Sequence, residues 1–299
     1  MAYGSPASAE DVESYYTHIR RGRPPEAAQL EELVRRYRAI GGTSHLTRRT
    51  LEQVSAIEAN LDAERFVVRL GQKHAAPFVE DAVAELAAEG VERIVGLVLA
   101  PHNSVASVGE YHRRAEAASA SASASASAGI PHPYTPIHSW HLLDELVEFQ
   151  ARALRTALAD LPERTQVLFT AHSLPERVLD GDPYPEQLAE SASRVVERAG
   201  LSGAGLRWDL AWQSAGRTQE PWRGPDILES IAAAAESGET DGMLVVPQGF
   251  TSDHLEVLYD LDIEAARAAE SAGLVFARTA VVNDDPAVMG ALAELLRSY

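Results

Sequence analysis

Arg-Phe-Val-Val-Arg-Leu (residues 65–70), Phe-Val-Glu-Asp-Ala-Val-Ala-Glu-Leu-Ala-Ala-Glu (78–89) and Arg-Ile-Val-Gly-Leu-Val-Leu-Ala (93–100) follow one another with short joins. The first segment reads as a strand. The second has apolar residues at 78, 79, 82, 83 and 86, the spacing of one helix face, and Gly90 then stops it. The third is apolar almost throughout, as a strand covered on both faces must be. A strand, a helix and a strand in that order predict parallel pairing with a helix laid across the sheet.

The same order recurs downstream. Strands are predicted at 166–170, 206–212 and 243–247, and helices at 185–199, 225–236, about 253–272 and 287–297. The chain therefore reads as α/β, with two similar halves built on parallel sheets. Its 299 residues suit two domains. The boundaries expected are 1–138 with 286–299 packing back on it, and 139–285. A Ser-Ala tract over 119–128 can build no core and is expected as an exposed helix end or loop near the junction.

Composition removes several function classes. With 26 Lys and Arg against 44 Asp and Glu, the net charge is −18, which speaks against general nucleic-acid binding. There is no Cys, so neither a disulfide, a thiolate metal site, a Cys-ligated iron–sulfur cluster nor a Cys nucleophile can form. No apolar run reaches a transmembrane length and no secretory leader is visible, so a cytoplasmic location is expected. Neither a Walker A loop, a dinucleotide Gly-x-Gly-x-x-Gly nor a Gly-x-Ser-x-Gly elbow is present.

Polar residues gather where predicted strands end, which is where open α/β sheets bind ligands. Three strands run into Ala-Pro-His-Asn-Ser (100–104), Thr-Ala-His-Ser-Leu-Pro (170–175) and Pro-Gln-Gly-Phe-Thr-Ser-Asp-His (247–254). His172 can serve there as a base, a metal ligand or a structural residue. Glu256, Asp260 and Glu264 repeat every four residues, which places three carboxylates on one helix face. That face is either a solvated acidic stripe or a set of oxygen ligands for Fe²⁺, Mn²⁺ or Mg²⁺. Arg20, Arg21 and Arg23, with Arg35, Arg36 and Arg38, stand out in an acidic chain. They either grip a polyanionic ligand or pair with Glu26, Glu31 and Glu32.

Eight motifs together resemble the ferrochelatase family, and most of all its coproporphyrin III branch in Gram-positive bacteria. They are Met-Ala-Tyr-Gly (1–4), Tyr-Tyr-Thr-His-Ile-Arg-Arg-Gly-Arg (15–23), Arg-Tyr-Arg-Ala-Ile-Gly-Gly (36–42), Ala-Pro-His-x-Ser (100–104), Ala-His-Ser-Leu-Pro (171–175), Trp-Gln-Ser (212–214), Pro-Trp-x-Gly-Pro (221–225) and Asp-His-Leu-Glu-Val-Leu-Tyr-Asp (253–260). The resemblance implies the chelatase fold, two flavodoxin-like (Rossmann-like) domains with the porphyrin in the cleft between them. It implies a lyase that inserts Fe²⁺, its metal substrate, into coproporphyrin III in haem biosynthesis. By it, His172 and Glu256 are the inner pair that binds iron and handles protons. Asp260 and Glu264 form an outer carboxylate path able to take Mg²⁺. Tyr3 ligates the product iron axially, and Arg20, Arg36, Tyr37, Ser44 and Tyr111 hold the porphyrin. The partners expected are the porphyrin and Fe²⁺, with no nucleic acid, no integral membrane segment and no second subunit.

Two features depart from that family. The chain opens where a first strand should already be ending, so the native reading frame is expected to begin upstream; a native N-terminal peptide starting at Met1 would refute this. The Ser-Ala tract has no counterpart among the motifs. The competing readings are a protoporphyrin IX ferrochelatase, a cobalt chelatase acting on sirohydrochlorin, a non-catalytic haem or porphyrin carrier, and a two-lobed binding protein. Glu256 disfavours the cobalt enzyme, which places a second His there. The full His, Glu, Asp, Glu set disfavours a carrier.

Overall fold

The computed structural model describes residues 1–43, 45–125, 133–203, 205–216 and 218–299, with 123–125 as backbone alone. The chain forms two compact units. One comprises Met1–Ala100, Val105–Ser139 and Asn283–Tyr299, the other Pro101–Ser104 and Trp140–Val282.

The first unit begins with three helices, α1 (Val12–Ile19), α2 (Ala27–Ala39) and α3 (Leu46–Glu58), and continues with α4 (Val79–Ala88), β1 (Ile94–Leu97), α5 (Val108–Ser125) and β2 (Tyr134–Ile137). Asp81 accepts the Phe78 N–H at the start of α4, and Gly90, at φ +76°, ends it in a conformation only glycine adopts cheaply. β1 and β2 run parallel, with Ile94 opposite Tyr134 and Leu97 opposite Ile137. Val79 and Val83 of α4, Ile94 and Val98, and Val108, Tyr111 and Ala115 of α5 make one buried cluster.

Met1 and Ala2 lie between two chain segments. The Met1 amine donates to Leu97 O and Met1 O accepts from Leu99 N–H; on the other side Ala2 N–H donates to Gly71 O and Ala2 O accepts from Lys73 N–H. The lateral order is therefore 71–73, Met1–Ala2, β1, β2. The paired segment is displaced from the one predicted: residues 66–70 carry no ladder, and pairing starts at 71. Alternation of apolar residues reports a half-buried surface, whereas a strand needs a neighbouring backbone, and Ala2 and Tyr3 supply it only beside 71–74. The Ser-Ala tract is a helix end through Ser125, but not an exposed one at its start. Ser119 is buried, four residues beyond buried Ala115 on the same face of α5. The rest of the tract from residue 126 lies outside the described residues.

The second unit contains α6 (Asp144–Leu158), β3 (Thr165–His172), α7 (Tyr184–Arg198), β4 (Arg207–Gln213), α8 (Ile227–Ser237), β5 (Gly242–Val246), α9 (Leu255–Leu258), α10 (Ala266–Ser271) and β6 (Val275–Arg278). Its four strands are all parallel, in the order β4-β3-β5-β6. Side chains alternate across the sheet as strand geometry requires. Val167 and Phe169 of β3, with Leu244 and Val246 of β5, pack with residues of α6 and α7. Leu168, Met243 and Val245 pack on the opposite face with α8 and α10. Both faces are covered, which is why Val167–Phe169 of β3 and Met243–Val246 of β5 are unbroken apolar runs. Asp226 caps α8 by accepting Leu228 N–H, so this helix starts two residues after the proline that marks it in the sequence.

The chain leaves β3 for β4 on one side and reaches β5 on the other. The carboxyl ends of β3 and β5 thus flank a topological switch point, the position where such sheets bind ligands. The predicted single helix over 253–272 is broken there. After α9 comes a π turn, Asp260–Ala265, in which Glu264 N–H reaches back five residues to Tyr259 O at 2.9 Å. Val257, Leu261, Ala265 and Ala269 are all buried at intervals of four. In an α-helix that interval drifts by about 40° per step, and the wider turn keeps the four on one face. Helix α11 (Pro286–Arg297) closes the chain, capped by Asp285, and belongs to the first unit.

Candidate active site

His172 is the last residue of β3 and about a third of its side chain is exposed. Its Nδ1 lies 2.5 Å from Ser173 O. A carbonyl can only accept, so the proton of the neutral ring sits on Nδ1 and the Nε2 lone pair points away from the backbone. That Nε2 is 3.6 Å from Oε1 of Glu256, in the first turn of α9. On the other carboxylate oxygen, His254 Nε2 also stands at 3.6 Å, while its Nδ1 lies 2.9 Å from Ser252 O. His254 is held in the same tautomer by the same device. Both separations exceed a hydrogen bond, so each imidazole stands close enough to its own carboxylate oxygen to share a small cation or a proton with it, pair by pair. Imidazole with carboxylate suits a borderline divalent ion such as Fe²⁺.

The surroundings fix this geometry. Gln213, the last residue of β4 and register partner of His172, donates its side-chain N–H to Glu256 O at 2.7 Å. Ser214 donates its hydroxyl to Asp260 Oδ2 at 2.6 Å. Tyr184 donates to His172 O at 3.3 Å; burial, then the charges of Glu256 and Asp182, push its pKa up, so it stays a neutral donor. Asp260 is buried and Glu264 partly exposed. Among the described residues no three His, Asp or Glu side chains converge as a ready cation cage. The four metal-handling residues read from the sequence thus appear as one close pair, His172 and Glu256, and two further carboxylates along the same helical stretch.

In the first unit, Tyr3 follows Ala2 at the carboxyl end of the paired strands. Its ring lies 4.6 Å from that of His74, whose Nδ1 is 3.0 Å from His18 Nδ1; His18 in turn stacks on Phe78. Burial, then the Lys73 charge and His18, lower His74 to about 3, so the ring is neutral. Tyr3, His18 and His74, with Arg21, Lys73 and Arg114, line a hollow of about 500 Å³. Of the other porphyrin-holding residues expected from the sequence, those described are bonded to neighbours or buried. Arg20 donates to Gln29 Oε1 and Arg23 O, and Arg36 pairs with Glu32 at 2.9 Å, the plainer reading of that cluster. Tyr37 and Tyr111 are buried, and Ser44 lies outside the described residues.

His254, Gln213, His18 and His74 carry no role in the sequence reading. His254 had a signal, its place two residues before Glu256. Gln213 stands in the motif Trp-Gln-Ser (212–214), but nothing in its residue type points to a contact with a main-chain carbonyl.

The chain matches the sequence model of the family described as "Ferrochelatase" over residues 1–299. It is similar to "Coproporphyrin III ferrochelatase" of Geobacillus kaustophilus, 41% identical over 305 residues, covering 99% of this chain and 93% of that one. The protein of the same description from Bacillus subtilis is 39% identical, covering 99% and 95%. "Ferrochelatase" of Herpetosiphon aurantiacus is 40% identical, covering 98% and 95%. Among solved structures, "SirB from Bacillus subtilis with Fe3+" aligns with a TM-score of 0.53 at 14% identity, over 84% of this chain and 88% of that one, a likeness of fold.

Proposed function

The chain belongs to the ferrochelatase family, enzymes that insert iron into a porphyrin, and from that premise we propose that its porphyrin is coproporphyrin III and that His172 and Glu256 carry the insertion. The observation that carries this is the pair itself, Nε2 to Oε1 at 3.6 Å at the switch point of the second sheet. Insertion removes two pyrrole protons and replaces the water around Fe²⁺. An imidazole with its Nε2 lone pair outward and a carboxylate 3.6 Å away can accept protons and displace water ligands on one side of the ion. The pair is few-toothed, which suits a cation that must leave it.

The substrate assignment rests on the curated relatives and on Tyr3, Arg20, Arg36, Tyr37, Ser44 and Tyr111, which we assign to the porphyrin. Coproporphyrin III carries four propionates and protoporphyrin IX two. Arg20, Arg21 and Arg23 on one loop suit the more anionic ligand. Asp260 and Glu264 extend the carboxylates away from Glu256 and offer oxygen donors to Fe²⁺ in transit or to Mg²⁺. We further propose a cytoplasmic monomer. No described helix is long and apolar enough to cross a membrane.

The test is anaerobic metallation of coproporphyrin III and of protoporphyrin IX with Fe²⁺, followed by loss of free-porphyrin fluorescence. Faster turnover of coproporphyrin III is expected. In His172→Ala and Glu256→Gln the rate should fall about 10²- to 10⁴-fold, the range of a lost general acid or base, with porphyrin binding kept. Binding without metallation in the unaltered protein would turn the reading to a carrier.

A further inference from the structure

Gln213 ends β4 directly opposite His172, and its hydrogen bonds reach the main chain beside His172 and at Glu256. Its carbonyl accepts Ser173 N–H at 2.8 Å, from the residue that follows His172. Its side-chain N–H donates to Glu256 O at 2.7 Å. The amide cannot be turned over, because its oxygen would then face a second acceptor at that distance. Gln213 is 1% exposed and its Oε1 is buried with no partner. A buried acceptor left unmatched is a cost that an apolar side chain at this position would avoid. The next residue, Ser214, stands at φ +61° and holds Asp260. Local cost is thus concentrated at the point where β4 meets the helix bearing the carboxylates.

We propose that Gln213 is a positioning residue that sets the distance between Glu256 and His172. The inference rests on the reading of those two as the catalytic pair. Gln213 does not touch the reacting atoms; its side-chain amide ties the first turn of α9 to the end of β4, which the parallel ladder joins to the end of β3. Without that tie, Glu256 is carried by a helix whose next turn is a π turn, a geometry of weaker hydrogen bonding. The carboxylate would then spend less time at the separation from which it shares an ion with His172.

The experiment compares the full chain with Gln213→Met, which keeps length and loses the donor. Coproporphyrin III affinity is measured by fluorescence without metal, and kcat and KM for Fe²⁺ are measured anaerobically. The expected result is a kcat at least tenfold lower and a raised KM for Fe²⁺, with porphyrin affinity within twofold. The same change made in Glu256→Gln should add less than twofold, because Gln213 acts through Glu256. Gln213→Met with unaltered kcat and KM would overturn the proposal, as would a full additional loss in the Glu256→Gln background. Should the Met variant fail to fold, Gln213→Glu, of the same shape with the donor replaced by an acceptor, takes its place under the same criteria. Glu256→Gln at the unaltered rate would instead sink the pair itself, a result separate from the role of Gln213.

Discussion

Ser214 illustrates how much a single position can hold at the edge of the site. A non-glycine residue at φ +61° costs about 1 kcal/mol relative to glycine. Its hydroxyl nevertheless donates to buried Asp260 at 2.6 Å. Two opposing effects therefore separate cleanly in two variants. Ser214→Ala loses the hydrogen bond and keeps the backbone cost, and should destabilise by about 1–3 kcal/mol. Ser214→Gly loses the same bond but relaxes the backbone, and should be about 1 kcal/mol more stable than the alanine variant. Urea unfolding of the two decides it; equal midpoints would mean that the backbone carries no strain there. At this scale the proposed pair was legible, because a His at the end of β3 and a Glu opening the helix after β5 are chemical types in telling places. Gln213 was not, because its work is done on a carbonyl that every residue possesses.

The elements show which structural signals a sequence carries. Strands β3, β4 and β5 fall within a few residues of the positions read for them; in β3 and β5 burial on both faces leaves the apolar runs Val167–Phe169 and Met243–Val246. Strands β2 and β6 were not read: Tyr134–Ile137 is mostly half-buried and Val275–Arg278 is an edge strand exposed at Val275. The π turn was invisible, since it is a change in backbone hydrogen bonding that no side chain announces; only the strict interval of four among buried residues hints at it. A loop after β5 makes a sharp demand on residue size. Gly249 N–H donates to Thr170 O, and a β-carbon there would lie 2.6 Å from that of Ala171, one residue before His172. Gly249→Ala should therefore cost about 1–3 kcal/mol through overpacking, and it should slow metal insertion by displacing His172. A variant with full stability and full rate would show that the loop yields without moving β3.

Across the whole molecule the fold class was readable and the lateral order of strands was not, because order depends on which backbones meet. Burial of imidazoles belongs to this scale too, and it sets how the protein answers acid. His102 is 3% exposed, its Nε2 bonds Ser191 Oγ at 2.8 Å, and its Nδ1 has no partner. His141 lies beside it, paired through Nε2 with Glu190, and neither neighbour offers an acceptor to His102 Nδ1. Burial, then the His141 charge, lowers His102 from 6.5 to about 3. The unfolded chain takes up this proton below its ordinary pKa of 6.5 while the folded chain refuses it until about pH 3. Stability from this group is thus complete above pH 6.5 and is lost as the pH falls through the interval down to 3. The slope is about 1.4 kcal/mol per pH unit, which amounts to roughly 2 kcal/mol by pH 5. His112 adds in the same direction, lowered to about 4 by burial, with Tyr134 Oη on Nδ1 and Ile137 O on Nε2. Urea unfolding at pH 7.5, 6.5 and 5.5 should show the loss in the unaltered chain. In His102→Gln, which can keep a bond to Ser191 and has no charge to gain, about 1.4 kcal/mol per unit of that slope should vanish. Equal slopes in the two proteins would mean that His102 is protonated inside the fold, with a partner other than Ser191 receiving its second N–H.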